Sequence, residues 1–274
     1  MINGKECYRS DRVAEDIIKR SQTNEYKLVD KVPSPTQILQ KNYYITLYNN
    51  QTRNAAWVYE KLNKSTLQNN VDKRTDFIQD ASVHPLFQPS TNTYSGTGYD
   101  RGHLAAAGNH RWCQRALDDT YLLSNVIPQQ HDFNCGTWND LEEYCREIAK
   151  EDKVRNVHVY TGPLYLSSDS EKHVKYEFVG GKAVPTHLFK VIIVENNDGK
   201  VLAPECYKMK QFHLEPYKVK IEDIQRDSGL IFEETEIKEE ITDETWKVKW
   251  RNEDWIEVKV SGSHTDHSDR AVLH

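Results

Sequence analysis

The sequence contains no long run of apolar residues, and this absence excludes a membrane-spanning helix. Its mean hydropathy is −0.79, and no stretch approaches the roughly 20 consecutive apolar residues that cross a bilayer. Hydrophobic residues make up only 37% of the 274 residues. However, 15 Tyr, 7 Phe and 6 Trp are too many aromatic residues for a disordered chain. We therefore expect a folded protein with a sizeable core.

Cysteine is also scarce. Five cysteines are an odd number, and no two of them are spaced as Cys-x-x-Cys, which excludes a disulfide framework. We expect reduced thiols and an intracellular location. The N-terminal segment lacks the apolar core of a secretory signal, and its Glu6, Asp11, Glu15 and Asp16 are unlike an acid-poor transit peptide.

The chain has no excess of positive charge. Its net charge of −6 argues at first against a partner rich in phosphate. Residues 222–257 hold thirteen acidic and five basic side chains, a net charge of −8, which leaves +2 for the rest of the chain. The acidity is therefore confined to a C-terminal segment, which we interpret as a shield over a basic groove, as a partner-binding surface or as a solvated appendage.

Hydrophobic patterning predicts a mixture of strands and helices. Residues 1–31 are polar and compatible with a helix, and residues 63–98 predict long loops. From Asn134 onward Trp138, Leu141, Cys145 and Ile148 recur at helical spacing, which predicts an amphipathic helix. Other runs predict strands at Tyr43–Leu47, Tyr121–Ile127, Val154–Leu166, Val174–Val179 and Val184–Val194, a hairpin turn at Gly180-Gly181, a helix or strand at Ala55–Leu62, and a tryptophan-rich β-hairpin beyond Phe232.

The predicted helix carries a candidate metal site. Asn134, Trp138 and Glu142 are four residues apart in succession and would share one stripe of a continuous helix. An amide oxygen and a carboxylate can hold a hydrated Mg²⁺, because this ion keeps several waters and needs only one or two protein oxygens. The structural alternative is a helix N-cap at Asn134 and an exposed Glu142.

The Asp100-Arg101-Gly102-His103 segment offers groups for chemistry at phosphorus. His103 could act as a general base on water while Arg101 neutralises charge on a phosphate. The structural alternative is a turn with a surface arginine and a structural histidine. Arg111 and Arg115, beside Trp112, would offer positive charge and an aromatic face to single-stranded nucleic acid.

Five segments resemble the DNA/RNA non-specific endonuclease family and, within it, the endonuclease G branch. They are YDRGHLAAAGNHRW (99–112), TYLLSNVIPQ (120–129), FNCGTWNDLEEYCREI (133–148), VYTGPLYL (159–166) and AVPTHLFKV (183–191). The resemblance implies an N-terminal extension (1–31), a nuclease domain (32–232) and an acidic C-terminal appendage (233–274). It also implies an α+β fold, with a central antiparallel sheet flanked by helices and a ββα-metal active-site motif.

The resemblance implies a role for each candidate residue. His103 would be the general base, Arg101 would stabilise the transition state, Asn125 would help to orient the site, Asn134 would ligate the metal directly and Glu142 would hold metal-bound water. Asp100, Arg111, Arg115 and Arg74 would contact the substrate, with Arg74 as the nearest counterpart of an arginine upstream of the box. Cys135 follows Asn134 directly, so its oxidation would disturb the metal site.

The implied activity is hydrolysis of DNA and RNA without sequence preference, leaving 5′-phosphate ends. Mg²⁺ would be the cofactor, with Mn²⁺ as an alternative, and the enzyme would be a homodimer of intracellular, mitochondrial location. One alternative is a nucleic-acid-binding protein that keeps the fold with little or no turnover, which the presence of every catalytic residue type disfavours. Another is a 5′-exonuclease, which the alanine-rich segment Leu104–Ala107 disfavours.

Overall fold

A computed structural model describes residues 34–73, 75–167, 173–211, 217–232, 246–250 and 254–258, with the backbone alone for the last two stretches. The described part of the chain contains thirteen strands and four α-helices. The strands are β1 (Thr36–Gln40), β2 (Tyr44–Asn49), β3 (Asn54–Leu62), β4 (Tyr99–His103), β5 (Val126–Gln130), β6 (Val154–Leu164), β7 (Phe178–Val179), β8 (Lys182–Ala183), β9 (His187–Asn196), β10 (Glu205–Lys210), β11 (Tyr217–Val219), β12 (Trp246–Trp250) and β13 (Asp254–Val258). The helices are α1 (Gln114–Thr120), α2 (His131–Cys135), α3 (Thr137–Lys150) and α4 (Ile221–Ser228), and short 3₁₀ turns occupy Pro85–Phe87, Ala107–Asn109 and Leu123–Asn125.

Seven strands form one antiparallel sheet in the order β1-β2-β3-β6-β9-β10-β11. The long central strands are rich in β-branched residues, which favour extended backbone. Two-stranded sheets are formed by β4 with β5, β7 with β8, and β12 with β13. This arrangement confirms the predicted α+β class with a central antiparallel sheet.

Helices cover both faces of the large sheet. On one face, Leu141 and Ile148 of α3 are buried with Val157, Val159 and other residues of the central strands. On the opposite face, Ile224 of α4 is buried in a smaller cluster of sheet residues. Each fully buried aliphatic side chain contributes about 1.5–3 kcal/mol to folding relative to an exposed one, so the two clusters attach both helices to the sheet.

The predicted amphipathic helix is confirmed, but it begins later than expected. Trp138, Leu141, Cys145 and Ile148 are all buried on α3. Asn134, however, belongs to the separate short helix α2. Gly136 has φ −104° and ψ −114°, which are not helical angles, and the helix is therefore interrupted between Cys135 and Thr137. The expectation of one continuous stripe from Asn134 to Glu142 is wrong for this reason.

The strand predicted at Tyr121–Ile127 is shifted along the chain. Leu123–Asn125 forms a 3₁₀ turn, and the strand β5 starts only at Val126. Side chains explain the turn, because Ser124 Oγ donates to Asp80 and the Asn125 amide bonds to backbone groups. Such local polar bonds compete with a strand ladder.

The remaining predictions have mixed outcomes. The segment Ala55–Leu62 is a strand, paired with both β2 and β6. The hairpin turn at Gly180-Gly181 is confirmed, with positive φ at both glycines, but the strand before it covers only Phe178–Val179. Pro185 separates β8 from β9, since proline cannot donate to a ladder. The hairpin beyond Phe232 is confirmed as β12 and β13.

The helix predicted in residues 1–31 and the last residues of the chain lie outside the described part. Within the described ranges, Cys113, Cys135, Cys145 and Cys206 are unpaired. No helix in those ranges has the length and apolar character to span a bilayer.

We predict that Gly162→Ala destabilises the sheet by about 1–3 kcal/mol. A Cβ atom on Gly162 would lie 2.5 Å from the backbone oxygen of Ala56 and 2.6 Å from the Phe189 ring. Gly108→Ala is the matched control, because its Cβ would meet only the flexible end of Arg146 at 3.1 Å. Urea denaturation measures both variants, and equal stabilities would contradict the steric argument.

Candidate active site

The site is built on a ββα unit formed by β4, β5 and α2. The strands β4 and β5 are antiparallel, with Tyr99 opposite Gln130 and His103 opposite Val126. Because α2 starts directly after Gln130, its side chains return to the Tyr99 end of β4. This connection confirms the predicted ββα arrangement and brings residues about thirty positions apart into contact.

An open cleft of about 380 Å³ lies at this junction. Its lining residues come from β4, α2 and the long loop before β4, and they are Phe77, Tyr94, Ser95, Tyr99, Asp100, Arg101 and Asn134. Three polar side chains, those of Arg101, Asp100 and Asn134, therefore share one cavity with three aromatic residues and a serine. The cavity combines aromatic surface with converging polar groups, as binding sites do.

Arg101 is held at the cleft by aromatic rings and by the loop backbone. Its guanidinium carbon lies 5.3 Å from the centre of the Phe77 ring and 5.7 Å from that of Tyr94. Its Nη2 donates a hydrogen bond of 3.1 Å to the carbonyl of Thr91. The buried Nε has no hydrogen-bond partner among the described residues. The guanidinium therefore keeps donor capacity for an anion in the cleft.

His103 follows Arg101 by two residues, and the pleat of β4 places both side chains on one face. Its ring lies 5.4 Å from that of Phe77 and 5.1 Å from that of Tyr121. Burial, with a smaller effect of His110, lowers the pKa of His103 to about 4. The imidazole is therefore neutral near pH 7, and its buried Nε2 has no partner in the described ranges. These are the properties of a group that can accept a proton.

Asn134 is oriented by Asp100. Its Nδ2 donates a hydrogen bond of 3.1 Å to Asp100 Oδ2. The same carboxylate oxygen lies 2.9 Å from Nδ1 of His131, and this contact raises the pKa of His131. Because Nδ2 faces Asp100, the amide oxygen Oδ1 points away from this carboxylate, and Asn134 lines the cleft. Asp100 therefore positions Asn134. Asp100 also lines the cleft, and the substrate contact that the resemblance implies for it stays a prediction.

Glu142 lies on α3 at the edge of a cluster of buried charges. Burial raises the pKa of its carboxyl to about 7, and the positive charges of Lys190 and Arg146 oppose this effect only in part. The Glu142 side chain is partly buried, so the alternative of an exposed glutamate is wrong. Asn134 lies within α2 rather than before its first residue, so the alternative of an N-cap asparagine is also wrong.

The charges beside Glu142 are fixed by a network of hydrogen bonds. Glu60 Oε2 accepts from Asn109 and lies 3.0 Å from His110 Nε2. Arg146 donates to Asn109 Oδ1, and Lys190 donates to Thr161. Burial alone would raise the pKa of Glu60, but the bonds from His110 and Asn109 keep it below its usual range. A paired cluster of this kind holds α3 at a defined position on the sheet.

Asn125 is buried, and its amide is fully used by the backbone. Its Oδ1 accepts from Ala105 N, and its Nδ2 donates to the carbonyls of Ala105 and Thr120. These bonds fix the chain that follows His103 to the turn before β5. Asn125 is therefore a positioning residue with no group directed at a ligand.

Arg111 and Arg115 do not line the cleft. Arg111 pairs with Asp72 and donates to the carbonyl of Val71, so it fastens the loop 71–72. Arg115 is exposed on α1, and the Trp112 ring packs edge-on against Tyr43 at 4.6 Å. Arg74 lies outside the described residues.

Two important aromatic residues were not singled out by sequence reasoning. Phe77 and Tyr94 lie in residues 63–98, where no periodic pattern marks them as functional. Phe77 contacts both Arg101 and His103, and Tyr94 contacts Arg101. Isolated aromatics in a polar loop are a weak signal that such a loop packs on a site, and long loops in compact domains are often functional.

The residues present fit a hydrated divalent cation. Asn134 offers one amide oxygen, which suits a hard cation that retains most of its waters. The buried carboxyl of Glu142 has a raised pKa in the absence of a cation, and a nearby positive charge would favour its ionised form. The donor set contains oxygen ligands, as Mg²⁺ prefers.

An antiparallel sheet with a ββα unit, and a cleft that gathers arginine, aspartate and asparagine beside a buried histidine, define a nuclease of the ββα type. The chain belongs to the DNA/RNA non-specific endonuclease family, whose model matches residues 22–240. Membership supports nuclease activity, nucleic-acid substrates and a divalent metal.

Similar proteins agree with this assignment. Over 212 residues the chain is 42% identical to mitochondrial endonuclease G of Homo sapiens, a match that covers 73% of this chain and 71% of the relative. Over 234 residues it is 32% identical to mitochondrial nuclease EXOG of Danio rerio, covering 80% and 68%. A crystal structure of an EndoG/EndoGI complex, which concerns the mechanism of EndoG inhibition, matches with a TM-score of 0.66 and 38% identity over 74% of this chain and 87% of that chain. These matches confirm the resemblance to the endonuclease G branch.

We predict that Phe77→Ala lowers the rate of DNA cleavage by roughly 10–100-fold, because misplacement of catalytic groups by about 1 Å has effects of this size. The variant removes the ring that contacts both Arg101 and His103. Phe87→Ala is the control, since Phe87 packs in a separate cluster with Leu39 and Tyr48. Cleavage rates under identical conditions decide the matter, and equal losses in both variants would refute the positioning role.

We predict that Glu142→Gln stabilises the metal-free protein at pH 8 by on the order of 1–3 kcal/mol. The folded-state pKa of about 7 lies above the ordinary value of 4.5, so stability contributed by the protonated carboxyl is lost as pH rises from about 4.5 through 7. Near pH 4 the variant and the parent should differ little. Glu143→Gln on the exposed face of α3 is the control. Thermal unfolding in chelator measures the difference, and a pH-independent effect would contradict this account.

Proposed function

We propose that the protein is a Mg²⁺-dependent endonuclease that hydrolyses DNA and RNA without sequence preference and leaves 5′-phosphate ends. The observation that carries this proposal is the contact between Asn134 and Asp100, which turns the Asn134 amide toward the cleft that Arg101 also lines. His103 packs behind the cleft against Phe77, which lines it. A cationic group and an oxygen ligand thus share one cavity, and a base lies next to it.

Asn134 and Glu142 would hold the ion, Asn134 by direct ligation and Glu142 through water. When bound, a divalent cation would polarise a phosphate oxygen and neutralise negative charge. Mn²⁺ can replace Mg²⁺ in a site of this donor type, since both ions accept oxygen ligands.

His103 would remove a proton from the attacking water. Burial lowers the pKa of the imidazole to about 4, so the ring is in its neutral form, which is the form that accepts a proton. The water oxygen would form the new bond to phosphorus, and the bond from phosphorus to the 3′ oxygen would break. The phosphate would then remain on the 5′ oxygen of the downstream fragment, and the 3′ oxygen of the upstream fragment would take a proton from solvent and leave as a hydroxyl.

Arg101 would stabilise the additional charge on the phosphate oxygens in the transition state. Its ring contacts and its bond to Thr91 hold it in place before the substrate arrives, and preorganised donors of this kind lower the barrier without reorganisation. Asn125 and Asp100 would act indirectly, through the chain after His103 and through Asn134.

The absence of sequence preference is supported by the chemistry of the cleft. Its charged groups suit the sugar–phosphate backbone, which is the same for every base. Because the proposed chemistry takes place at the phosphate, RNA and DNA would both be cut. The family description names both nucleic acids.

Two other activities are weaker candidates. A binding protein without turnover would not need a neutral histidine with a free nitrogen beside an arginine. A 5′-exonuclease is disfavoured by the higher identity to endonuclease G than to nuclease EXOG, at 37–42% against 32–35%.

The proposal extends to organisation and location. We assign nuclease activity to residues 32–232, because the large sheet and the ββα unit lie within them, and cleavage by a chain trimmed to these residues tests this. The resemblance supports a homodimer, which light scattering measures. The relatives' mitochondrial names support a mitochondrial location, which imaging of the tagged protein tests.

We predict that His103→Ala lowers plasmid cleavage by ~10²–10⁴-fold, as expected for loss of a general base. DNA binding should persist, because the cationic groups remain. His84→Ala, which removes an exposed histidine, is the matched control. A His103→Ala enzyme with the parent rate would overturn the assignment.

The metal requirement has its own pair of variants in the same assay. Asn134→Ala should remove activity at all Mg²⁺ concentrations, whereas Asn139→Ala, on the exposed face of α3, should retain it. Chelator should abolish cleavage by the parent chain, and cleavage that persists in chelator would sink the metal-dependent mechanism.

A further inference from the structure

Three potential metal ligands of different chemistry meet beside the cleft. They are the carboxylate of Asp100, Nδ1 of His131 and Sγ of Cys135, and all three atoms lie within 4.8 Å of one another. His131 Nδ1 is 2.9 Å from Asp100 Oδ2 and 3.8 Å from Cys135 Sγ. His131 and Cys135 are one turn apart on α2, and both are exposed, so the group is open to ions from solvent.

These separations are close to those of a tetrahedral zinc centre. With Zn–N and Zn–O bonds near 2.0–2.1 Å and a Zn–S bond near 2.3 Å, tetrahedral geometry puts neighbouring N and O atoms roughly 3.3 Å apart, and N and S atoms roughly 3.6 Å apart. The observed 2.9 Å and 3.8 Å differ from these values by less than half an ångström. Small rotations of exposed side chains would close that difference.

We propose that Asp100, His131 and Cys135 form a binding site for a thiophilic divalent cation of the zinc type, and that occupation of this site inhibits the nuclease. The Cys135 thiol loses its proton to solvent as the metal–sulfur bond forms, and His131 donates the lone pair of Nδ1. A water molecule completes the four ligands. The thiolate selects against Mg²⁺, which prefers oxygen donors.

The inhibitory effect follows from the shared carboxylate. Asp100 Oδ2 is also the acceptor for Nδ2 of Asn134, at 3.1 Å. A cation bound to this carboxylate draws electron density from the acceptor and directs the carboxylate toward His131 and Cys135, so the hydrogen bond that orients the Asn134 amide weakens. This half of the proposal rests on the proposed function, because it assigns metal ligation to Asn134. The binding half stands without it.

Cobalt absorption tests binding directly on the full, reduced chain. Co²⁺ bound by thiolate shows a charge-transfer band in the near ultraviolet, and a tetrahedral ion shows intense visible bands. We predict both bands at one equivalent of Co²⁺ and their displacement by Zn²⁺. Cys135→Ser should abolish the charge-transfer band, and His131→Ala should weaken Zn²⁺ affinity by ~10-fold or more, because even the outer partners of metal ligands have effects of 10–100-fold.

Control variants separate this site from other ligands. Cys7→Ser and Cys113→Ser should keep the bands, since neither changes the three ligands. Asn134→Ala should also keep them, because Asn134 is not a ligand of this site. Absence of the charge-transfer band in the parent chain, or its persistence in Cys135→Ser, would overturn the proposal of a site.

Inhibition is measured in plasmid cleavage at a fixed excess of Mg²⁺ while Zn²⁺ is increased. Each variant is compared with its own rate without Zn²⁺. The Zn²⁺ concentration for half inhibition should rise by ~10-fold or more in Cys135→Ser and stay unchanged in Cys113→Ser. A cobalt band together with equal Zn²⁺ sensitivity in the parent and Cys135→Ser would overturn the inhibitory role. If the parent shows no cleavage at all, the proposed function fails while the cobalt result still decides whether the site binds metal.

Discussion

The hydrogen bond between Asn134 and Asp100 is the interaction on which the arrangement of this site depends. It joins the first strand of the ββα unit to the helix that follows the second strand, and it determines which end of the Asn134 amide faces the cleft. Because an amide has a donor end and an acceptor end, engaging the NH₂ group leaves the oxygen for an incoming ligand. The carboxylate of Asp100 therefore affects the site by orienting the Asn134 amide.

Aromatic packing has a comparable role on the other wall. The Phe77 ring contacts both Arg101 and His103, so a single loop residue aligns a cation and a neutral base. The same packing buries much of the His103 ring, and this burial lowers the pKa of its imidazole. The packing of Phe77 therefore affects both the stability of this wall and the protonation state of His103.

Glu142 shows the opposite effect of burial on a carboxyl group. Burial raises its pKa more than the nearby Lys190 and Arg146 lower it, and these two cations also bond to Thr161 and Asn109 of the network around Glu60. A buried carboxylate whose negative charge is only partly balanced by nearby cations destabilises the fold. The same unbalanced charge favours the binding of a metal cation. Functional sites commonly retain groups of this type at some expense of stability.

Much of this protein could be predicted from its residue pattern. The apolar face of α3 and the hairpin at Gly180-Gly181 follow from local signals, because spacing and turn chemistry act over a few residues. The central antiparallel sheet and the grouping of His103, Arg101 and Asn134 were implied by the resemblance of whole segments to a family. Tertiary structure decided the rest. The interruption at Gly136 moved Asn134 off the stripe that carries Glu142, the buried bonds of Asn125 made it a positioning residue, and the loop brought Phe77 onto the site. Each of these outcomes depends on contacts between residues distant in sequence, and a pattern along one segment contains no information about the partner that competes for its hydrogen bonds.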